Sequence, residues 1–511
     1  MSARATRTAE PRLRPARVEL KAVERLAIKR LASDSRLVLP GDTFVAYPGE
    51  SQDGRRYIAP ALAAGAGSVL WERREFSWKT SWRVPNAAVT NLRARAGLIA
   101  SHVCGYPSSR LWMVGVTGTN GKTTCSRWIA RALTDNRKRA AVIGTLGYGL
   151  GETLQPLANT TPDAVWLHTR LADFERRGAH AVSMEVSSIG IDQHRVAGVE
   201  FDVAVLTNLT RDHLDYHGTM RRYAAAKARL FACETLTHAV VNEDDAFGAA
   251  LLSRIRRRGL SVLGYGFGSR AGRASRITGC NLVADADGLR FDASTPWGSA
   301  RIRSRVLGAF NASNLLATLA VLLVSGLTIR QAVASLETLS AAPGRMQKLG
   351  GGRLPTVVVD YAHTPDALHQ VLTTLRALTA GNSSRLLCVF GCGGNRDRGK
   401  RPLMGRVAST LADRIWITND NPRHESPLAI VDDIVAGMER GGDIELNRRR
   451  AIHRAIAQAQ RGDIVVIAGK GHETYQETGG VRRPFSDVAV ARSALTQKTR
   501  SSKALKSKAA A

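Results

Sequence analysis

Between Thr117 and Thr124 the chain reads TGTNGKTT, a set of small residues, hydroxyls and one lysine that suits an anion with several oxygens. The run before it, Leu111–Val116, is apolar with strand composition, and Trp128, Ile129 and Leu133 after it fall on one face of a helix. A strand, a glycine-rich turn and a helix N-terminus aim backbone N–H groups and about half a positive charge at one point. Lys122 adds a full charge for the outer phosphates of a nucleotide, and Thr123 a hydroxyl for Mg²⁺. The common phosphate loop has a glycine where Val116 stands, so Gly118 and Gly121 are the turn glycines here.

Other chemistry-bearing residues also sit where strands end. Glu185 closes the run Ala-Val-Ser-Met-Glu, where a buried carboxylate is costly unless paired or bound to a cation. Read alone, it suits a structural ion pair or a Mg²⁺ ligand equally, and a facing phosphate loop favours the ligand. His213 follows the next apolar run in the same way. Further along, apolar runs end in Asp360-Tyr361-Ala362-His363, in a glycine turn reaching Arg396, in Asp420-Asn421-Pro422-Arg423 and in Gly469-Lys470-Gly471-His472-Glu473. Two arginines (396 and 423) and two carboxylates (Asp420 and Glu473) at one mouth suit a zwitterion and suit a polyphosphate badly.

The elements that must position these groups predict an α/β protein of three domains. Residues 18–109 read as a small α/β unit ending at Cys104-Gly105-Tyr106-Pro107, with a basic N-terminal tail, 1–17, before it. Residues 110–341 alternate short apolar strands with helical stretches, which predicts a mostly parallel sheet covered on both faces. Residues 342–495 repeat that pattern as a Rossmann-like domain, and 496–511 read as a basic disordered tail. In such sheets ligands lie outside the carboxyl ends of the strands, where the residues above are found.

Composition narrows the function classes. The 511 residues hold 73 Lys and Arg against 43 Asp and Glu, a net charge of +30, with 44% apolar and 5% aromatic content. No apolar run is long enough to span a membrane, and the N-terminus lacks a secretory apolar segment, so a cytoplasmic protein is expected. The six cysteines lack paired metal spacing and read as reduced thiols. The positive charge alone would admit a nucleic-acid-associated ATPase, but no nucleic-acid reader motif accompanies it. Anionic substrates account for the excess equally well, so no nucleic-acid partner is expected.

The motifs TGTNGKTT, MEVSS, DHLDYHG, GAFNASN, PGRMQ, DYAHTPDAL, GCGGNRDRGKRPLMG, DNPR and GKGHETYQ occur in the order seen in the Mur ligases, and from about Ser33 to Asp487 the chain resembles that family. The resemblance implies a UDP-binding domain, a central P-loop ATPase domain and a C-terminal domain that brings an amino acid. It implies ATP as co-substrate, Mg²⁺, an acyl-phosphate route to a peptide bond in peptidoglycan precursor synthesis, and a monomer. Ser35 and Glu50-Ser51-Gln52 match uridine-nucleotide contacts, while Asn159, Thr160, Thr161, Ser187, Gln193 and Arg195 match residues holding the muramyl peptide. Gly118, Thr119, Asn120, Gly121, Lys122, Thr123 and Thr124 match the ATP phosphate site, with Asn314, Arg345 and Asp360 as further nucleotide contacts. Thr123, Glu185 and His213 match Mg²⁺ positions, and Lys227 matches a lysine that the family carbamylates to hold a second ion. Arg396, Asp420, Asn421, Pro422, Arg423, Gly469 and Glu473 match a diaminopimelate pocket, and relatives that add lysine typically lack an arginine at the position of Arg423. Ligases of the wider superfamily, adding glutamate to folate or a dipeptide to the muramyl chain, are the rival reading; the Arg396, DNPR and GKGHE set argues against them.

Overall fold

The computed structural model describes residues 23–509, apart from 51, 152, 256–259, 269–274, 286–287 and 380–382. The expected N-terminal tail, 1–17, and Ser51 therefore lie outside the described residues. Side chains are described as far as residue 499.

Four short parallel strands, Leu31–Ala32, Thr43–Ala46, Ser68–Glu72 and Asn86–Val89, form the first sheet in that order. Thr43–Ala46 and Ser68–Glu72 are buried along their whole length, as strands covered on both faces must be. The helix Leu92–Val103 closes one face and then leans on the next domain.

The second sheet has ten strands. Its centre is parallel, with Trp112–Thr117 flanked by Ala181–Glu185 on one side and by Val203–Leu206, His238–Asn242 and Ser261–Gly266 on the other. The phosphate-loop strand is therefore at a switch point, where its two neighbours lead away in opposite directions and leave a crevice at the carboxyl ends. Helices Lys122–Asp135 and Ala309–Val324 cover one face, and Ala164–Arg176 and Ala246–Ile255 the other. Arg276–Asp285, parallel to Ser261–Gly266, and then the antiparallel strands Gly288–Thr295 and Gly298–Ser304 extend the sheet at one edge and were not anticipated. Their exposed faces carry Arg290, Arg301 and Arg303, so they lack the continuous apolar run of a buried parallel strand.

A six-stranded sheet forms the third domain: Gln347–Gly350, Thr356–Asp360, Ile464–Ala468, Leu386–Phe390, Arg414–Ile417 and Asp443–Ile444, with only the first antiparallel. The last helix, Asp487–Ala509, corrects the expectation of a disordered segment at 496–511. It is anchored by buried Val490, Ala491, Ala494 and Leu495, and the stretch beyond contains neither glycine nor proline to stop it. Among the described residues, no helix is long and apolar enough to cross a membrane.

The first two domains are joined without slack. A Cβ on Gly97 of helix Leu92–Val103 would lie 2.2 Å from the Ala197 carbonyl oxygen, so only glycine permits this approach. From the other side, Nε2–H of His168 donates to the same carbonyl at 2.9 Å. Ser33 Oγ adds a bond to Asp163 Oδ1 at 2.9 Å across the boundary. His168 is fully buried, its Nδ1 has no hydrogen-bond partner among the described residues, and burial pushes its pKa down to about 4.

In the unfolded chain the same imidazole takes its proton near pH 6.5, so acid favours unfolding. Its contribution is complete above pH 6.5 and is lost as pH falls to about 4, amounting to about 3 kcal/mol. Urea unfolding at pH 7 and pH 4.5 should show this loss in the natural protein and a smaller one in His168→Gln; equal acid sensitivity of the two would contradict it.

Candidate active site

Strand Trp112–Thr117 delivers the phosphate loop into the crevice, and Val116 is wholly buried within it. Gly118 has φ +147, and a Cβ there would lie 1.8 Å from Thr207 Oγ1. The loop is braced from the end of the neighbouring strand: Asn208 Oδ1 accepts from Asn120 N–H at 2.9 Å, and Thr207 Oγ1 donates to the Asn120 carbonyl at 2.5 Å. Lys122 folds back, donating to the Gly118 and Thr119 carbonyls at 2.8 Å each. Burial lowers its pKa, while Glu185 and Asp212 pull the other way.

Glu185 is the first link of a chain of hydrogen bonds leading away from the loop. Its Oε2 accepts from Thr123 Oγ1 at 2.9 Å and from Thr145 Oγ1 at 3.1 Å, and its Oε1 from Thr145 N–H at 2.7 Å. Thr145 Oγ1 lies 3.0 Å from Thr160 Oγ1, and Thr161 bridges the Glu185 carbonyl and Ser187. Arg195 donates to the Thr161 carbonyl and to Gln193 Oε1; Gln193 in turn donates to Glu50 of the first domain at 2.8 Å. Five of the expected muramyl-peptide residues (Thr160, Thr161, Ser187, Gln193 and Arg195) thus form one path from the phosphate loop to Glu50.

Asn159 lies elsewhere, on a cavity of about 600 Å³ between the first two domains. Ser33, Asp34 and Arg36 line that cavity, while Ser35 begins the short helix Ser35–Leu37 between them. Gln52 is exposed and accepts from Tyr57 at 2.7 Å. The sequence reading missed the opposite wall, where the Arg170 guanidinium stands 5.0 Å from the Tyr148 ring and 5.3 Å from that of Trp166.

A second cavity, of about 280 Å³, opens beside the phosphate loop and is lined by Gly121, Thr124, Asn314, Arg345 and Asp360. Arg345 stacks 4.5 Å from the Tyr361 ring and reaches 3.4 Å from Thr123 Oγ1. Burial raises the pKa of Asp360 against the pull of Arg345. Lys227 is buried on the other side of the loop. Its Nζ donates to the Gly118 carbonyl at 2.8 Å and stands 4.5 Å from the Tyr223 ring, with no carboxylate within ion-pair distance among the described residues. Burial, then the charge of Lys122, holds its pKa well below the usual lysine range.

Asp212 joins the second and third domains; the sequence placed it with His213 after a strand end, without a role of its own. It lies 3.4 Å from His213, 3.6 Å from His363 and 3.9 Å from Lys400. Burial alone would raise its carboxyl; His363, His213 and Lys400 prevail and hold it well below the carboxylate range. Around it, Arg211 pairs with Asp397 at 3.1 Å, Asn120 donates to Asp366 at 3.0 Å, and Arg396 lies 4.0 Å from Asp215.

The mixed-charge mouth of the third domain comes together as its residue types suggest. Asn421 Nδ2 donates to Glu473 Oε2 at 2.8 Å, and Arg423 Nη1 donates to the Gly394 carbonyl at 2.8 Å. Pro422 and Gly469 are buried, and Arg396 is half exposed at the rim. The hairpin Tyr475–Thr478 and Val481–Pro484, unseen in the sequence, clamps this loop: Arg423 N–H donates to the Glu477 carbonyl and Gln476 Nε2 to the Asp420 carbonyl.

Residues 116–322 match the Mur ligase middle domain, and residues 344–471 match the Mur ligase glutamate ligase domain. The UDP-N-acetylmuramoyl-L-alanyl-D-glutamate–2,6-diaminopimelate ligase of Chromobacterium violaceum is 51% identical, covering 92% of this chain and 95% of its own. The chain belongs to the Mur ligase family. The ligase of the same name from Nitrosomonas europaea is 48% identical over 92% of this chain and 93% of its own. A solved structure of a UDP-N-acetylmuramoyl-L-alanyl-D-glutamate–2,6-diaminopimelate ligase, 38% identical, superposes with a TM-score of 0.65 over 92% of this chain and 95% of that one. A MurF ligase from Thermotoga maritima, 17% identical, shares the fold with a TM-score of 0.64. In this Mur ligase the middle domain carries the phosphate loop, Glu185, Asp212 and Lys227, and the glutamate ligase domain carries Arg345, Asp360, His363, Lys400 and the mixed-charge mouth.

Asp212→Asn removes the charge that holds two histidines and Lys400 at the domain junction. Proteolysis of the 339–344 connection should quicken by about tenfold, equivalent to ~1.4 kcal/mol of easier opening. An unchanged digestion rate would mean that the surrounding pairs hold the junction unaided.

Proposed function

We propose that this Mur ligase joins meso-2,6-diaminopimelate to UDP-N-acetylmuramoyl-L-alanyl-D-glutamate in the cytoplasm, as a monomer, with ATP converted to ADP and phosphate. One observation carries the reading. The loop after Val203–Leu206 touches the phosphate loop through Asn208 and faces Arg396 of the mixed-charge mouth through Asp215. On this reading a group activated at the first site would face an amine held at the second. The relatives named for this reaction, matching over nearly their whole length, support the same substrates.

The D-glutamate γ-carboxylate attacks the γ-phosphorus of ATP, giving an acyl phosphate; the amine then attacks the carbonyl carbon and phosphate leaves. The first step brings two anions together, and at ~4 Å with an effective dielectric of about 20 each unit-charge pair costs roughly 4 kcal/mol. Lys122 and the loop N–H groups offset this, once Lys122 exchanges its contacts with Gly118 and Thr119 for phosphate oxygens. Arg345 and Asn314 line the cavity that receives the rest of the nucleotide. The path from Thr160 to Glu50 would orient the muramyl peptide, and the cavity at Asn159 would take its uridine nucleotide end, with Ser35 and the loop at Glu50-Ser51-Gln52 at its edge.

Thr123 and Glu185 offer hard oxygen donors suited to Mg²⁺. Among the described residues no three His, Cys, Asp or Glu side chains form a cage, as fits an ion completed by phosphate oxygens and water. Such an ion would neutralise phosphate charge when bound. Lys227 fits carbamylation because a buried amine pressed toward its neutral form is the form that adds CO₂, its N–H proton leaving as the carbamate anion forms. That carbamate and His213 would supply donors for a second ion. At the mouth, Arg423 offers a planar partner to the far carboxylate of diaminopimelate, with Arg396 beside it, while Asp420, Asn421 and Glu473 face its ammonium.

Purified enzyme supplied with ATP and the UDP-muramyl dipeptide should release ADP and form an amide faster with meso-diaminopimelate than with L-lysine. Faster ligation of lysine would overturn the assignment. Arg423→Ala should raise the diaminopimelate KM by about ten- to a hundredfold while the ATP KM holds; equal loss of both would make Arg423 structural.

A further inference from the structure

Lys470 lies beneath the mixed-charge mouth and belongs to none of the groups assigned above. Its side chain is wholly buried, one residue past the strand Ile464–Ala468 and its Gly469 turn. Nζ donates to Glu473 Oε2 at 2.7 Å and to Asn421 Oδ1 at 2.9 Å, and it lies 3.7 Å from Asp420 Oδ1. One ammonium thus serves two carboxylates. Glu473 Oε2 is satisfied twice, by Lys470 and by Asn421 Nδ2, which leaves Oε1 for an incoming donor. The carboxylate of Asp420 has Lys470 as its only ion-pair partner among the described residues. The other buried cation nearby, Arg448, is already committed to Asp487 through two bonds of 2.8 and 2.7 Å.

We propose that Lys470 sets the charge preference of this pocket, a reading that rests on the mouth being the amino-acid site. Lys470 cancels one of the two carboxylates, and Arg396 and Arg423 stand on the opposite side. With Lys470 in place the mouth is not anionic, so a side chain ending in both a carboxylate and an ammonium fits, while one ending in a bare ammonium meets an excess of positive charge. Without Lys470 that excess is gone, because Arg396 and Arg423 only match Asp420 and Glu473, and the penalty against a bare ammonium falls. Lys470 is in this sense a positioning and specificity residue: it fixes Glu473 and Asn421 and refuses the wrong charge, and does not touch the reacting atoms. Rejecting a competitor through unfavourable charge is a common half of specificity.

The test uses the full-length enzyme, with amide formation measured for meso-diaminopimelate and L-lysine at saturating ATP and UDP-muramyl dipeptide. Lys470→Met should lower kcat/KM for diaminopimelate by about tenfold or more and raise the lysine-to-diaminopimelate ratio of kcat/KM by about tenfold, with the ATP KM unchanged. Lys470→Arg, which keeps the charge, should hold that ratio near the natural one. Equal losses for both amino acids in Lys470→Met, or a shifted ratio in Lys470→Arg, would overturn the proposal. If Lys470→Met fails to fold, Lys470→Gln removes the charge, retains a donor to Asn421, and reads the same ratio. Natural enzyme that ligates neither amino acid would defeat the assignment of the mouth itself, an outcome distinct from an unmoved ratio.

Discussion

A carboxylate and a triphosphate repel each other, and much of this structure is arranged around making them meet. The cost of about 4 kcal/mol for each close pair of unit charges has to be met locally, because at a Debye length of about 8 Å the net charge of +30 is largely screened. On the proposed assignment, local compensation comes from the loop Gly118–Thr124, through its backbone donors and Lys122, while Thr123 and Glu185 would act only as oxygen donors to Mg²⁺. Lys227, which has no carboxylate partner among the described residues, is buried beside the charge of Lys122, where a second ammonium is disfavoured; the proposed carbamylation would relieve that repulsion.

The same constraint shapes the second half of the site. An amine nucleophile must arrive unprotonated at its reacting nitrogen while its far end carries charges of both signs. The third domain answers with a pocket whose charges are paired before anything binds. Asn421 is held by Lys470, Glu473 and the Glu477 N–H, and the hairpin beyond holds Arg423 in place through its backbone. The phosphate loop, in contrast, spends its lysine on its own carbonyls, contacts that a phosphate can replace. One pocket is set in advance and the other waits for its ligand.

What could be read from the sequence follows from which interactions are local. TGTNGKTT, Glu185 and the strand-end loops were legible because each is set by its neighbours in the chain: an apolar strand, a turn and a charge at its end. The central parallel strands were legible for the same reason, whereas Ser261–Gly266 and the short Asn86–Val89 and Asp443–Ile444 were not read. The antiparallel edge 276–304 was missed because its alternating pattern, with Arg290 and Arg303 outward, has no long apolar run. The helix through Ala509 was mistaken for a tail because its basic composition outweighed its lack of glycine and proline. Asp212 and Lys470 were in plain view within quoted motifs, yet their roles depend on partners more than a hundred residues away or on a fold-over of the chain. No spacing rule shows that Asp212 will meet His363 and Lys400, or that Lys470 will turn inward beneath two carboxylates.

The three domains are not attached with equal strength, and the difference falls where the chemistry needs it. The first domain is locked to the second by apolar and backbone contact: Gly97 against Ala197 leaves no room, and the buried His168 ring fills the other side. Such packing resists sliding because interiors are close-packed and every displacement opens a void. The third domain meets the second through Leu307 and Phe310, which pack into its core, and through polar pairs, of which Arg211–Asp397 and Arg396–Asp215 are partly exposed; exposed ion pairs contribute at most about 1 kcal/mol each. Asp212 and Lys400, both buried and 3.9 Å apart, form a charged contact at that boundary, with His213 and His363 beside Asp212. On the proposed assignment the muramyl nucleotide would rest on the first two domains, and the third, carrying Arg423 and Lys470, would bring the amino acid. Closure of that third domain on the second would bring the amine to the acyl phosphate and expel water, the competing nucleophile.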